Sequence, residues 1–345
     1  MKNILILGLG AFGFAIAKHL GENNPDKEIY ASEVNPEIFT SIKENRTHPY
    51  FFPWTRLPEN IKLIDNTSEL LPKVDIIISV IPCQFIGGAF SGMKDSLKDG
   101  VTILNLSKWI DNQTLQTTSE KLGEVLAQHP HPNFLLWKEK EQASNKTPLS
   151  SEGEGLGVRY AYAYLAGGMI AAELVEEKML GVDIVTENKE VGEQLKELFH
   201  SGSLDIHFIH GNPKNTELYA ALKNIIALIL GYYEGQGNGA STLGYYLTKL
   251  LTEVSLLIKF LGGDPKLRFT DNALGGDIIA TCFGGSRNRL LGNMLGEWKS
   301  ISEALTELQS QKKIAEGYET LKGVYTLTKW KDEFTLINKF WGRYL

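Results

Sequence analysis

The sequence predicts an α/β domain built on a doubly wound parallel sheet, followed by an all-α C-terminal domain. Three observations predict it. Near-continuous apolar runs of strand length alternate with helix-like segments up to about residue 211. A glycine-rich turn follows the first of those runs. The alternation then gives way to long stretches with apolar residues at helical spacing. Strands covered by helices on both faces read as unbroken apolar runs, which is the mark of a parallel sheet.

Ile4 to Leu7 is the first run, and the helical pattern Phe14 to Leu20 follows the glycine turn. Lys27 to Ser32, Val74 to Ile81 and Val101 to Leu106 read as further strands, with Ile38 to Glu44 and Phe90 to Leu97 as helices between them. The sheet pattern resumes at Ala161 to Ala166, Val182 to Thr186 and Ile206 to Ile209. Right-handed crossovers between such units give a doubly wound fold of Rossmann type. Lys138 to Gly157 is charged and rich in Ser and Gly, and reads as a flexible surface excursion inside the first domain. Glu217 to Tyr233, Leu243 to Leu261 and Ser300 to Gln309 carry helical periodicity. In the last, Ser300 and Glu303 stand at capping-box spacing. The boundary falls at His210 to Pro213, so the expected domains are 1–211, which holds a dinucleotide, and 212–345, which holds substrate and catalytic groups.

A chain of 345 residues is long enough for two cores, and 43% hydrophobic with 22% charged residues is ordinary for a globular protein. A net charge of -6 argues against nucleic-acid binding but leaves room for a small anion held by a few local cations. The two cysteines, Cys83 and Cys282, stand in no metal-ligand spacing, so no metal site is expected, and their scarcity suits a reducing compartment. Gly8, Gly10 and Gly13 break the opening apolar run where a secretory signal would continue. Ala220 to Tyr233 is too short for a bilayer and contains Lys223 and Asn224. The expected protein is cytoplasmic, without membrane insertion, and a homodimer by the usual preference of soluble oligomers.

Gly8-Leu9-Gly10-Ala11-Phe12-Gly13 matches G-x-G-x-x-G between a strand and a helix. The first glycine permits a tight turn, the second lets a pyrophosphate approach the backbone, and the third lets helix and strand pack closely. Glu33, directly after the second strand, is the candidate for the adenosine ribose hydroxyls. A carboxylate there suits NAD and repels the 2′-phosphate of NADP; Val34, Asn35 and Pro36 bring no basic residue nearby, although one from a distant loop would admit NADP. In the second half, Lys223 lies in an apolar helix, where partial desolvation lowers an ammonium's pKa and suits it to proton transfer; a lysine that snorkels to the surface is the alternative. Gly275 to Arg289 is rich in glycine and carries Asp277, Thr281, Arg287 and Asn288, a composition suited to an oxyanion. Taken singly, Asp277 reads better as a helix cap and Arg287 better as a surface residue.

Across nearly its whole length the chain resembles the NAD(P)-dependent glycerol-3-phosphate dehydrogenase family. The carriers are GLGAFG at Gly8 to Gly13, ENRTHPYFFPWTRLPENI at Glu44 to Ile61, IPCQFIG at Ile81 to Gly87 and LSKWID at Leu106 to Asp111. LKNIIA at Leu222 to Ala227, GGDIIATCFGGSRN at Gly275 to Asn288 and AEGYETLKGVYTL at Ala315 to Leu327 complete the series. The resemblance implies that Lys223 exchanges a proton with the substrate oxygen, that Lys108 stabilises charge on it, and that Asp277 orients or pairs with Lys223. It implies that Asn224, Thr281, Arg287 and Asn288 hold the substrate and its phosphate. It further implies that Gly8, Gly10, Ala11, Phe12, Gly13, Glu33, Pro82, Phe85, Lys108, Arg287 and Glu316 contact the dinucleotide. The implied reaction interconverts dihydroxyacetone phosphate and sn-glycerol 3-phosphate with NAD(H).

The Lys138 to Gly157 excursion is longer than the family's, and three further segments depart from its pattern; together they bear on substrate identity and catalytic efficiency. Trp109 replaces a glycine after Lys108, Gly239-Ala240-Ser241 replaces Gly-Asp-Asn, and Ala166-Gly167-Gly168-Met169 replaces Ser-Gly-Pro or Gly-Ala-Asn. The competing readings are a related two-domain dehydrogenase for another phosphorylated or carboxylated 2-hydroxy compound, and a dinucleotide-binding regulator without turnover. The presence of Lys108, Lys223 and Asp277 weighs against the regulator.

Overall fold

The structure is a computed structural model and describes residues 1–108, 110–112, 114–126, 160–311 and 315–343. The excursion expected at 138–157, and Trp109, lie outside the described residues.

Eight strands form one sheet: β1 (Asn3–Leu7), β2 (Glu28–Ser32), β3 (Ile61–Leu63), β4 (Ile76–Ser79), β5 (Val101–Asn105), β6 (Tyr160–Gly167), β7 (Leu180–Thr186) and β8 (Leu204–His210), in the order β3-β2-β1-β4-β5-β6-β7-β8. Alternate residues of β1 point to opposite faces. Ile4 and Ile6 join the core with Phe14 and Ile16 of helix Ala11–Asn23, while Leu5 and Leu7 join that with Ile86 and Phe90 of helix Cys83–Met93. Both faces are thus covered, which is why these strands read as unbroken apolar runs.

All neighbours are parallel except β6 and β7, which run antiparallel. This corrects the expectation of parallel pairing at that point. The link 168–179 holds only the five-residue helix Ala171–Val175, too little for a crossover back across the sheet. The helix expected at Phe90 to Leu97 instead begins at Cys83, is α-helical to Met93 and ends in a 3-10 turn at Lys94–Ser96. Gly87 and Gly88, just past its first turn, and Gly92, near its end, dilute the periodicity.

Past β8, Asn212 caps helix Pro213–Gly235 by accepting the Lys214 N–H at 2.9 Å, with proline at the first helical position. Nearly every side chain of this helix is buried. Helices Ala240–Phe260, Asp277–Cys282, Arg287–Gly296 and Glu316–Thr328 pack around it, as does β6. Ser300 and Glu303 form a reciprocal capping box on helix Ile301–Ser310. Ile110 and Leu115, in the segment that follows β5, are buried in this helical core rather than in the sheet's.

Two glycine pairs let the central helix meet helix Arg287–Gly296 backbone to backbone. A Cβ on Gly231 would lie 2.2 Å from the Arg289 carbonyl oxygen, and one on Gly235 2.3 Å from that of Asn293. In return, a Cβ on Gly292 would lie 2.0 Å from the Leu228 oxygen, and one on Gly296 2.2 Å from that of Tyr232. Because the obstacles are main-chain atoms, a larger residue must push the helices apart. Gly292→Ala is therefore expected to lose ~1–3 kcal/mol of stability, as overpacking typically does. The control is Gly202→Ala, where nothing lies within 4 Å. Urea unfolding checks this: equal midpoints for the two variants would remove the seam from the account.

Candidate active site

The C-terminal ends of β1, β2, β4, β5 and β6 share one edge of the sheet, and the helical domain meets them there. On the β1 side, Gly8 adopts φ +91°, a left-handed conformation, and a Cβ on it would press within 3.3 Å of the Val80 main chain. A Cβ on Gly13 would sit 1.9 Å from the Gly8 oxygen, so helix and turn pack as the motif requires. Gly10 caps helix Ala11–Asn23, is exposed and has nothing within 4 Å of where a Cβ would be. The first helical turn, with Ala11 and Phe12 half-buried, contains no acid and leaves its N–H groups without helical partners. This cradle fits a pyrophosphate.

Glu33 turns back toward that cradle. Its Oε2 accepts the Leu9 N–H at 2.7 Å and its Oε1 the Asn35 N–H at 2.8 Å. Beneath the turn, His48 is fully buried; its Nδ1 accepts the N–H groups of Tyr50 and Phe51, and burial holds its pKa below the usual imidazole value. Across the cradle, Pro82 caps helix Cys83–Met93, and Phe85 leaves 62% of its surface in solvent on that helix's first turn.

The charged centre lies where β5 and β6 end. Asp277 Oδ1 meets Lys108 Nζ at 3.0 Å, and its Oδ2 forms an ion pair with Lys223 Nζ. Lys108 also donates to the Gly167 carbonyl oxygen at 2.5 Å. Asp277 and Lys223 are 2% and 5% exposed, whereas the Lys108 side chain keeps 23% of its surface in solvent. Burial lowers the Lys223 pKa to about 8, with Lys108 adding to the effect and Asp277 opposing it. Burial also pushes the neighbouring Cys282 thiol up to about 12, so it stays protonated.

Asp277 is delivered by a π-helical turn, Asn272–Gly276, that runs into helix Asp277–Cys282. Asp183, fully buried on β7, anchors this turn by accepting the Ala273 N–H at 2.7 Å and the Asn272 side-chain amide at 3.1 Å. Gly168 lets it approach: a Cβ there would lie 2.7 Å from the Gly276 oxygen. The substituted segment Gly167-Gly168 thus makes room for the carboxylate's carrier, and Met169 packs into the sheet core. Thr281 follows Asp277 by one turn and is half-buried.

Ser286 caps helix Arg287–Gly296, placing Arg287 exposed at its start and Asn288 buried beside it. Asn288 Oδ1 accepts the Gly317 N–H at 2.8 Å, and a Cβ on Gly317 would lie 2.7 Å from the Asn224 main-chain oxygen. Asn224, Asn288 and Glu316 are thereby gathered beside Lys223. Burial raises the Glu316 pKa, while Arg287 and Lys223 pull it down.

Two family models match in series: the NAD-dependent glycerol-3-phosphate dehydrogenase N-terminus over residues 3–136, and the C-terminus of the same family over 213–340. The chain belongs to this family. Curated relatives include the glycerol-3-phosphate dehydrogenase [NAD(P)+] of Geobacter metallireducens, 28% identical over 94% of this chain and 87% of its own length. That of Bacillus cereus is 29% identical over 95% of this chain and 87% of its own. Among solved structures, the dehydrogenase from Plasmodium falciparum shares the fold with a TM-score of 0.81 at 20% identity, over 98% of this chain and 90% of that one. The enzyme from Coxiella burnetii does so with 0.76 at 20%, over 98% of both chains.

Within this family fold, Asp183, His48 and the Gly167 carbonyl are supporting groups that the sequence reading did not single out. Asp183 alone left a signal, as an acid in the middle of an apolar strand. Removing Asp277 strands two ammonium groups. Asp277→Ala is expected to lose roughly 3–5 kcal/mol at pH 6, the usual cost of breaking a buried pair. The loss should shrink at pH 9, where Lys223 folds as the neutral amine. Urea unfolding at the two pH values checks this; a loss independent of pH would mean that Lys223 does not depend on Asp277 for its charge.

Proposed function

We propose that this protein interconverts dihydroxyacetone phosphate and sn-glycerol 3-phosphate with NAD(H), supplying glycerol 3-phosphate for glycerophospholipid metabolism. The observation that carries the reading is the Lys108–Asp277–Lys223 contact at the dinucleotide edge of the sheet, in a chain of the glycerol-3-phosphate dehydrogenase family. When bound, the dinucleotide supplies the hydride. Gly8, Gly10, Ala11, Phe12 and Gly13 hold its pyrophosphate, Glu33 its ribose, and Pro82, Phe85, Arg287 and Glu316 its remaining contacts.

Lys223 gives its proton to the ketone oxygen during reduction and takes the hydroxyl proton during oxidation. Lys108 stabilises the charge that develops on that oxygen, as a preorganised donor does best away from bulk water. Asp277 keeps both ammonium groups aimed at one place. Arg287 is the planar partner for the substrate phosphate, with Thr281, Asn224 and Asn288 fixing the rest of the molecule. Residues 1–211 and 212–345 act as the two functional domains. No helix among the described residues is long and apolar enough to cross a membrane. The protein works as a cytoplasmic homodimer.

The test is the oxidation of NADH with dihydroxyacetone phosphate and with unphosphorylated dihydroxyacetone. Strong preference for the phosphorylated ketone is expected, and equal rates would discard the phosphate site. A donor with a pKa of about 8 also fixes the pH dependence of kcat/KM. Reduction requires the ammonium, so its rate falls as pH rises through about 8, whereas oxidation requires the amine and rises over the same interval. Lys223→Met should abolish both limbs and lower turnover by roughly 100- to 10,000-fold. A variant with near-normal rates would move the proton donor elsewhere.

Cofactor choice follows from Glu33. The unmodified protein is expected to prefer NADH to NADPH, and Glu33→Ser combined with Val34→Arg to shift the ratio of kcat/KM values toward NADPH. An unmodified protein that already prefers NADPH would place the ribose away from Glu33.

A further inference from the structure

Glu217 lies on the helix that carries Lys223, is 2% exposed, and belongs to neither the phosphate nor the proton-transfer groups. Its carboxylate accepts hydrogen bonds from the Ser119 N–H at 3.2 and 3.3 Å, the Ser119 hydroxyl at 2.5 Å, the Asn105 side-chain amide at 3.3 Å and the Tyr162 hydroxyl. These donors all come from the first domain: Asn105 ends β5, Tyr162 lies on β6, and Ser119 is in the first turn of helix Thr118–Leu126. Burial raises the Glu217 pKa, and the donors oppose that rise.

Asn105 continues the connection. Its Oδ1 accepts the Ser107 N–H at 3.1 Å, and the Ser107 hydroxyl donates to the Ile81 carbonyl oxygen at 2.5 Å. Ser107 precedes Lys108, and Ile81 precedes Pro82. One buried carboxylate on the helix of Lys223 is therefore joined by two hydrogen-bond steps to the loop that carries Lys108, and by three to the rim of the dinucleotide cradle.

We infer that Glu217 is a positioning residue that sets the register between the proton donor on the helical domain and the oxyanion lysine and dinucleotide cradle on the α/β domain. The inference rests on the reaction assigned above. Hydride and proton must reach one carbonyl from groups on different domains, and a displacement of about an ångström there costs as much as roughly 100-fold in rate. Glu217 acts on that register and touches no reactant.

The test compares Glu217→Ala and Glu217→Gln with the unmodified protein. Glutamine keeps an acceptor for Ser119 and Asn105, and the two hydroxyls can rotate to accept from its amide. For Glu217→Ala, kcat should fall at least about tenfold. The isotope effect on kcat with NADH deuterated at the transferred position should rise as hydride transfer becomes limiting. NADH affinity, read by protein fluorescence without substrate, should stay within about twofold, because Glu217 touches none of the dinucleotide groups and the glycine turn, Glu33, Pro82 and Phe85 all lie in the first domain. Glu217→Gln should restore most of kcat.

A Glu217→Ala protein that melts earlier but keeps its kcat and isotope effect below the melt would overturn the inference and leave Glu217 as a stabilising contact. If Glu217→Ala does not fold, Tyr162→Phe and Ser119→Ala each remove one donor and should lower kcat with a raised isotope effect. Unchanged values in both would equally overturn it. The unmodified protein's turnover, measured first, fails only with the assigned reaction; the ratio of variant to unmodified rates fails only with the positioning role.

Discussion

One carboxylate shared by two ammonium groups is the constraint around which this molecule is organised. Asp277 is almost wholly buried, and so is Lys223, yet Lys108 keeps part of its surface in solvent. Three charges in so small a volume leave a net positive charge. Desolvation therefore lowers the Lys223 pKa even with Asp277 in contact, because the single carboxylate must answer two cations. An ammonium so placed holds its proton loosely enough to exchange it near neutrality. The remainder of the chain has to bring three side chains, from residues 108, 223 and 277, to that one place.

It does so largely by close main-chain approach. The glycines of the central helix and of helix Arg287–Gly296 fix one helix pair, Gly317 lets a third helix rest on Asn224, and Gly168 admits the turn before Asp277. Where backbones touch, there is no long side chain to change rotamer, so relative positions are held more tightly than by interdigitated leucines. Polar ties then finish the work at the sheet edge: Asp183 to the turn, and Glu217 to the strand ends.

The sequence made much of this legible, for identifiable reasons. Val74 to Ile81 and Val101 to Leu106 were readable as strands because helices cover both their faces. Lys223 stood out because its neighbours on the helix are apolar, and the glycine turn because it sits between a strand and a helix. The antiparallel direction of β7 was not readable, since it depends on how the link before it folds and not on any residue in the strand. Helix Cys83–Met93 escaped at its start because its glycines erase the periodicity. Glu217 and Asp183 escaped as site residues because their hydrogen-bond partners lie 55 or more positions away. Nothing local names those remote donors, even where, as at Asp183, an acid amid apolar strand residues hints at burial.

The bonds already made by Lys108 have a stereochemical consequence. An ammonium carries three N–H groups. One is directed at the Gly167 carbonyl oxygen and one at Asp277, so a single direction remains for a substrate oxygen. A ketone is planar, and its two faces are mirror-related approaches to the same carbon. In the proposed reaction that remaining direction would fix the carbonyl oxygen, and the phosphate at Arg287 would give a second point. Two points still let the molecule rotate about the line between them, so a third contact, on the hydroxymethyl end, is needed before the faces differ. Handedness would then come from three separated holds, the first of them narrowed to one direction by a main-chain oxygen at the end of β6.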